Sequence, residues 1–269
     1  MNRVNGSGSV CMSEAINRVW RIVATGFCFS VFGLGGIVLG IVVCPVAMLF
    51  VRGAVRQKQL CQTIIHHSFR CFVGLMNFVG VISYEVHGRE SLQRRGLLIL
   101  ANHPSLIDVV FLISFVRNAD CIVKEALARN PFTRGPIRAA GFIPNGDGAG
   151  LLEDCVRSLQ DGNNLIIFPE GTRTPLHGKV KLQRGAAHVA VKGRIDITPV
   201  HIHSSLPMLT KGTPWWKVPV SKPHFTIEVR PDIAVEQFCD SAASDSLAVR
   251  HVTEHLSEQL FKGPACAST

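Results

Sequence analysis

The 269-residue chain has a formal net charge of +9, a pI near 9.3 and 47% apolar residues, with one tyrosine and nine cysteines. That length holds one ordinary domain plus something extra, and the charge favours an anionic partner: nucleic acid, an anionic membrane, or a phosphorylated or carrier-borne substrate. No basic helix of regular spacing and no nucleic-acid module is readable, so nucleic acid is set aside. The cysteines form no C-x-x-C pair and read as reduced thiols packed as small hydrophobes.

Residues 1–13 are polar and Gly/Ser-rich and are expected to be loose. Residues 22–51 contain no charged side chain, a run longer than the roughly 20 residues that cross a bilayer and too long for a secretory signal core. It could span the membrane once, or enter one leaflet, bend at Gly33, Gly35, Gly36 or Pro45, and return. The glycines and the proline favour the re-entrant form; Arg18 and Arg21 before the run and Arg52, Arg56 and Lys58 after it do not decide. In residues 54–81, Leu60, Ile64, Phe72, Leu75 and Val79 recur at helical spacing among basic residues, which predicts an amphipathic helix on the headgroups. His66 and His67 lack partner ligands, so no metal is expected there. The chain thus divides into membrane-associated helices over 1–82 and a catalytic domain over 83–269.

From residue 83 short apolar runs (84–86, 97–100, 121–123, 165–168, 197–203) alternate with helical patterns (105–115, 151–160, 183–192). Such alternation predicts an α/β domain with a mostly parallel central sheet flanked by helices, preceded here by an N-terminal membrane-associated helix pair. A closing amphipathic helix over 244–262 packs on the sheet. Sites in such sheets lie outside the carboxyl ends of strands.

Two stretches carry chemistry at those ends. After the run 97–100 comes His103, then Pro104, suited to a first helical position, and Asp108 one turn on. A carboxylate facing an imidazole fixes its tautomer and makes it a general base; the plainer reading is that Asp108 complements the helix N-terminus. After the run 165–168 comes Pro169-Glu170-Gly171-Thr172-Arg173. Pro169 stops the strand, Gly171 permits a sharp turn, and Arg173 offers planar donors suited to phosphate. A Glu170–Arg173 salt bridge is the alternative. No Gly-x-Ser-x-Gly elbow is present, and Ser105 is the one candidate nucleophile near His103. His177, His188, His201 and His203 lack metal-ligand spacing and read as core or surface residues. Trp215-Trp216 could anchor at an interface or lie under a loop.

The segment 102–108, NHPSLID, together with FPEGTR at 168–173 resembles the lysophospholipid acyltransferase family, which includes 1-acylglycerol-3-phosphate acyltransferase. Ile197-Thr198-Pro199-Val200 is similar to its last block, and the likeness runs from about residue 83 to 230. The resemblance implies His103 as general base, Asp108 as its orienting partner, and Glu170, Gly171, Thr172 and Arg173 as the acceptor site. Lys124 would add a second positive charge and Pro199 would shape the pocket floor. It implies a membrane-bound enzyme on the cytoplasmic side of a bacterial inner membrane, in contact with an anionic membrane surface. An acyl group would pass from acyl-CoA or acyl-carrier protein to a lysophospholipid hydroxyl, with no cofactor beyond that co-substrate. Direct transfer is expected, the oxyanion meeting backbone N–H groups near His103 or Gly171. One position departs: Asn145 stands where the family carries an arginine for the acceptor phosphate, and its amide is uncharged. An acceptor from a specialised pathway, of ornithine- or polyene-lipid type, is therefore open. The rivals are a hydrolase or transacylase using the same pair and a catalytically silent membrane adaptor.

Overall fold

The computed structural model describes residues 7–146, 150–175 and 180–261; the start of the expected loose segment (1–6), His177 and Lys262 lie outside them. Seven strands, β1 (Ser83–His87), β2 (Leu98–Ala101), β3 (Ala119–Lys124), β4 (Ile143–Asn145), β5 (Asn164–Ile167), β6 (Ile197–Ser204) and β7 (His224–Val229), form one sheet in the order β1-β7-β6-β2-β5-β3-β4. Every neighbouring pair is parallel except β6 and β7. The mostly parallel sheet expected from the alternation is what forms. Every residue of β2 and β5 is buried, and all but Asn164 at the start of β5 are apolar, the mark of strands covered on both faces.

The helices are α1 (Ser7–Val38), α2 (Cys44–Leu49), α3 (Ala54–Phe78), α4 (Asp108–Phe115), α5 (Glu125–Arg129), α6 (Arg134–Ala140), α7 (Leu151–Gln160), α8 (Gly185–Gly193), α9 (Glu236–Ser241) and α10 (Asp245–Phe261). Alternating strand residues feed two cores. Ile99 and Ile166 join Ile65 and Met76 of α3 and Phe111 and Leu112 of α4. Leu98, Leu100 and Leu165 join Leu159 of α7, Ala187 and Ala190 of α8, and Val252 and Leu256 of α10. The closing helix thus packs on the sheet as expected.

Ile16–Leu49 is one helical stretch of 34 residues, long and apolar enough to cross a membrane. It runs without a break through Gly33, Gly35 and Gly36 and passes a π-helical turn at Leu39–Val43 just before Pro45. The helical stretch ends only at 50–53, where Gly53 has φ 96°, so Gly33, Gly35 and Gly36 do not interrupt the helix, and the irregularity within the apolar run is the π-helical turn before Pro45. Two of the glycines serve close approach instead. A Cβ on Gly36 would lie 2.3 Å from the Phe132 carbonyl oxygen, and one on Gly40 2.6 Å from the Gly135 Cα. Much of the rest of this stretch is bare: Val19, Val23, Phe27, Leu34, Ile41, Val42, Leu49 and Phe50 are exposed.

Helix α3 differs from the expected surface helix. It buries Cys61, Gln62, Ile65, His66, Val73 and Met76, while Leu60, Ile64, Phe72, Leu75 and Val79 are half-buried on its flanks. The reason lies in α4, whose residues Val110–Phe115 are all buried; a helix apolar all round needs an outer cover. His66 ties the two helices, its Nδ1–H donating to the Ile113 carbonyl at 2.8 Å. Asp120, fully buried in β3, accepts Lys58 Nζ at 2.8 Å, Gln62 Nε2 at 2.6 Å and the Ser158 hydroxyl, joining α3 and α7 to the sheet.

Candidate active site

β2, β5 and β6 are paired in register, Leu100 lying opposite both Ile167 and Pro199, so their following residues emerge at one edge. Asn102 extends the pairing past the end of β2: its side chain donates to the Ile202 carbonyl at 2.8 Å and accepts the Ile202 N–H at 2.7 Å. The next residue, His103, is thereby fixed. Residues 104–107 form a turn, and α4 begins at Asp108 rather than at Pro104. The Asp108 carboxylate folds back over that turn. Its Oδ2 accepts the His103 Nδ1–H at 2.9 Å and the Ser105 N–H at 2.7 Å. Asp108 is fully buried and its Oδ1 has no partner among the described residues. Burial pushes its carboxyl above the usual range, while His103, the Ser105 amide and Arg173 pull the other way. The Nδ1–H bond leaves His103 Nε2 as the basic nitrogen. The ring stacks on Phe168, centroids 4.3 Å apart.

The turn after β5 reaches the same place. Gly171 sits at φ 65°, in the left-handed region glycine enters at no steric cost. The alternative reading of this turn, a Glu170–Arg173 salt bridge, is not what forms. Glu170 Oε1 accepts the His103 N–H at 2.8 Å and the Thr174 hydroxyl at 2.7 Å, and the Thr174 N–H donates to the His103 carbonyl at 2.7 Å. Glu170 is buried, its carboxyl is pushed up by that burial, and Oε2 is without a partner among the described residues. Arg173 Nη1 donates to the Leu209 and Thr210 carbonyls at 2.7 and 2.9 Å.

A cavity of about 1340 Å³ joins these groups, beyond the roughly 300–1,000 Å³ of ordinary small-molecule sites. His103, Lys124, Asn145, Gly171, Thr172 and Arg173 lie on its wall. Lys124 and Asn145 are register partners at the ends of β3 and β4. The rest of the wall is mainly apolar and includes Phe32 and Leu39 from the first helical stretch, Phe69 and Phe72 of α3, and Ile113 of α4. Two expected contributors are missing from it. Glu170 turns inward to the main chain of His103, where an otherwise buried N–H needs an acceptor, and Pro199 lies within β6 against Leu100. Ser105 is buried and donates to the Met208 carbonyl at 2.9 Å, away from the role of nucleophile. Of the amides near His103 and Gly171 expected to meet an oxyanion, that of His103 itself is occupied by Glu170 and that of Gly171 by the Phe168 carbonyl at 3.0 Å. The Thr172 and Arg173 amides have no partner among the described residues.

Several contributors escaped the sequence reading. Asn102, Thr174 and Phe168 sit within or beside the two motifs, so adjacency was the available signal. Lys211, Gln183 and the 209–210 carbonyls reach the site only through the folding of distant loops. Trp215 packs on the first helical stretch, 5.9 Å from Phe29 and against Gly26, with Trp216 at its edge.

Residues 83–203 match the family model Acyltransferase. A 1-acyl-sn-glycerol-3-phosphate acyltransferase of Pseudomonas aeruginosa is 28% identical over 143 residues, 51% of this chain and 56% of its own length. One from Helicobacter pylori is 33% identical over 116 residues, 40% of this chain and 49% of its own. The chain spans about half the length of the curated relatives it matches. The crystal structure of the 1-acyl-sn-glycerophosphate acyltransferase of Thermotoga maritima shares the fold. It superposes with a TM-score of 0.68 at 21% identity, over 91% of this chain and 95% of that one.

Proposed function

We propose that the protein is a membrane-bound O-acyltransferase that moves a fatty acyl group from acyl-CoA or acyl-carrier protein to the hydroxyl of a lysophospholipid such as 1-acylglycerol-3-phosphate. The observation that carries this reading is the His103–Asp108 pair at 2.9 Å, opening on a large cavity with an apolar wall. The relatives' activity, acyl transfer to 1-acyl-sn-glycerol-3-phosphate, supports the choice of reaction and acceptor.

In this mechanism His103 Nε2 takes the acceptor hydroxyl proton as the oxygen attacks the thioester carbonyl. Asp108 holds the ring and stabilises the imidazolium that forms. The oxyanion meets the Thr172 and Arg173 amides, and the tetrahedral adduct expels thiolate, which takes the proton back from His103. Lys124 and Arg173 attract the anionic headgroup, and the acyl chain lies along the apolar wall. The exposed apolar side of the first helical stretch lies in the membrane, with the site toward the cytoplasm. Residues 1–82 are the membrane-associated part and 83–269 the catalytic part, α3 contributing to both.

A second reading of the acceptor rests on Asn145. Beside Lys124 it supplies an amide, not a cation, which suits a headgroup with less negative charge than a phosphate monoester, such as a lysolipid of a specialised pathway.

Purified full-length protein in detergent, a labelled acyl thioester and a lysolipid panel read by mass spectrometry test the proposal. Lysolipid-dependent transfer is expected, falling about 10²- to 10⁴-fold in His103→Ala. Undiminished transfer by His103→Ala, or thioester turnover indifferent to lysolipid, overturns it.

A further inference from the structure

At the opposite edge of the sheet from His103, where β2 and β3 begin, a pocket of about 360 Å³ opens between α3, the short 3-10 turn Arg89–Gln93, the end of α4 and Arg117. We propose that Arg70, Arg89 and Arg117 form a second anion site here, remote from the catalytic cavity, that takes a phosphate group, either free or as the headgroup of an anionic phospholipid.

The charge balance points this way. Three guanidinium groups share the pocket with one carboxylate, Glu90, an excess of 3 − 1 = 2 positive charges. Among the described residues no carboxylate lies within 4.0 Å of any of the three, whereas nearby Arg94 is gripped by both oxygens of Asp232 at 2.6 and 3.0 Å. Like charges gathered without a counter-ion repel; a phosphate accepts from several planar forks at once.

The walls are also held in place. Asn164, itself buried, donates to the main-chain carbonyls of Arg94 and Arg117 at 3.1 and 2.9 Å and accepts the Leu97 N–H at 2.9 Å. Gln93 donates to the Phe115 carbonyl at 3.2 Å. The Arg89 guanidinium lies over the Phe115 ring at 5.4 Å. His66 forms the floor and is committed through Nδ1–H to the Ile113 carbonyl. The arginines therefore project from backbone that is already ordered, which lowers the entropic cost of binding.

The test uses full-length protein in a neutral maltoside detergent. It is titrated with inorganic phosphate and, separately, in micelles doped with phosphatidylglycerol or phosphatidylcholine. Saturable binding of phosphate, or of phosphatidylglycerol over phosphatidylcholine, is expected. Affinity should fall about tenfold or more in R89A/R117A, by less in R89K/R117K, and persist in Lys124→Ala, which removes a cation from the catalytic cavity. A phosphate response identifies a free anion as sufficient; a response to phosphatidylglycerol alone identifies a headgroup. If R89A/R117A loses its fold, Arg70→Ala, whose side chain is exposed on α3, replaces it. Equal binding by native protein and the folded variants, or no saturable binding of either probe by native protein, overturns the proposal.

Discussion

The carboxylate of Glu170 holds the main-chain N–H of His103 at 2.8 Å, joining positions 67 residues apart in sequence. Thr174 completes the tie by donating its hydroxyl to Glu170 and its N–H to the His103 carbonyl. The turn after β5 thus grips the backbone of His103, while its next residues, Gly171 to Arg173, face the cavity.

This relationship has a pH signature. Burial raises the Glu170 carboxyl above its usual range, so between the unfolded value, near 4.3, and the raised one the folded protein keeps a proton that the unfolded chain has lost. Stability is then greatest below the unfolded value and declines as pH rises through the folded one. Glu170→Gln keeps the Oε1 acceptor and removes the titration, so its melting temperature should fall less between pH 4 and 8 than that of native protein. Asp108 is shifted in the same direction, and part of the decline will remain. Glu170→Ala, which removes the acceptor of the Thr174 hydroxyl and leaves the His103 N–H only its longer bond to that hydroxyl at 3.2 Å, should cost about 1–3 kcal/mol. Thermal melts across pH check both, and an undiminished slope in Glu170→Gln refutes the assignment.

Glycines in the first helical stretch make a prediction of opposite sign to helix propensity. Gly→Ala in a helix interior ordinarily stabilises by about 1 kcal/mol. Gly74 of α3 has nothing within 4 Å of a built Cβ, and Gly74→Ala should follow that rule. Gly40→Ala places its methyl 2.6 Å from the Gly135 backbone and should instead lower the melting temperature and loosen α6 from this stretch. Hydrogen exchange over residues 132–140 reads the loosening; unchanged exchange would show that the contact is dispensable.

Asp120 makes the third prediction. Three donors from α3 and α7 converge on a fully buried carboxylate, and removing one side of such an arrangement leaves a buried cation or amide unpaired. Asp120→Ala should destabilise by about 3 kcal/mol, with Asp120→Asn milder because it retains one acceptor oxygen. Denaturant unfolding measures both. A cost below about 0.5 kcal/mol, the scale of an exposed pair, would mean that the clamp is not formed.

These sites also mark what the sequence could and could not disclose. The apolar runs at 97–100 and 165–168 announced buried parallel strands, and strand ends announced where His103 and the 168–173 turn would meet. Periodicity could not say which side of α3 faces inward. Its apolar stripe competes with the demand of an all-apolar α4 for a cover, and that demand is tertiary. Nor could it distinguish a glycine that bends a helix from one that admits a neighbour, since Gly36 and Gly40 owe their role to Phe132 and the start of α6, nearly 100 residues on. Asp120, near the start of β3, carried no local sign of its three partners.

The last prediction concerns the acceptor. Lys124 and Asn145 stand side by side at the ends of β3 and β4, both on the cavity wall. An ammonium is a point charge, whereas a guanidinium offers a planar pair of donors that a phosphate monoester accepts bidentately. Asn145→Arg therefore adds a charge-assisted contact worth about 1.5–3 kcal/mol to acceptors with a terminal phosphate and little to zwitterionic ones. The KM for 1-acylglycerol-3-phosphate should fall about tenfold or more relative to that for a lysophosphatidylcholine. kcat should change little, because the headgroup contact is made equally in the ground state and the transition state. Lys124→Ala should shift the ratio the opposite way, and Asn145→Gln should leave it unchanged. If Asn145→Arg lowers kcat for every acceptor without altering the ratio, position 145 lies beside the acyl donor and the headgroup is read elsewhere on the wall.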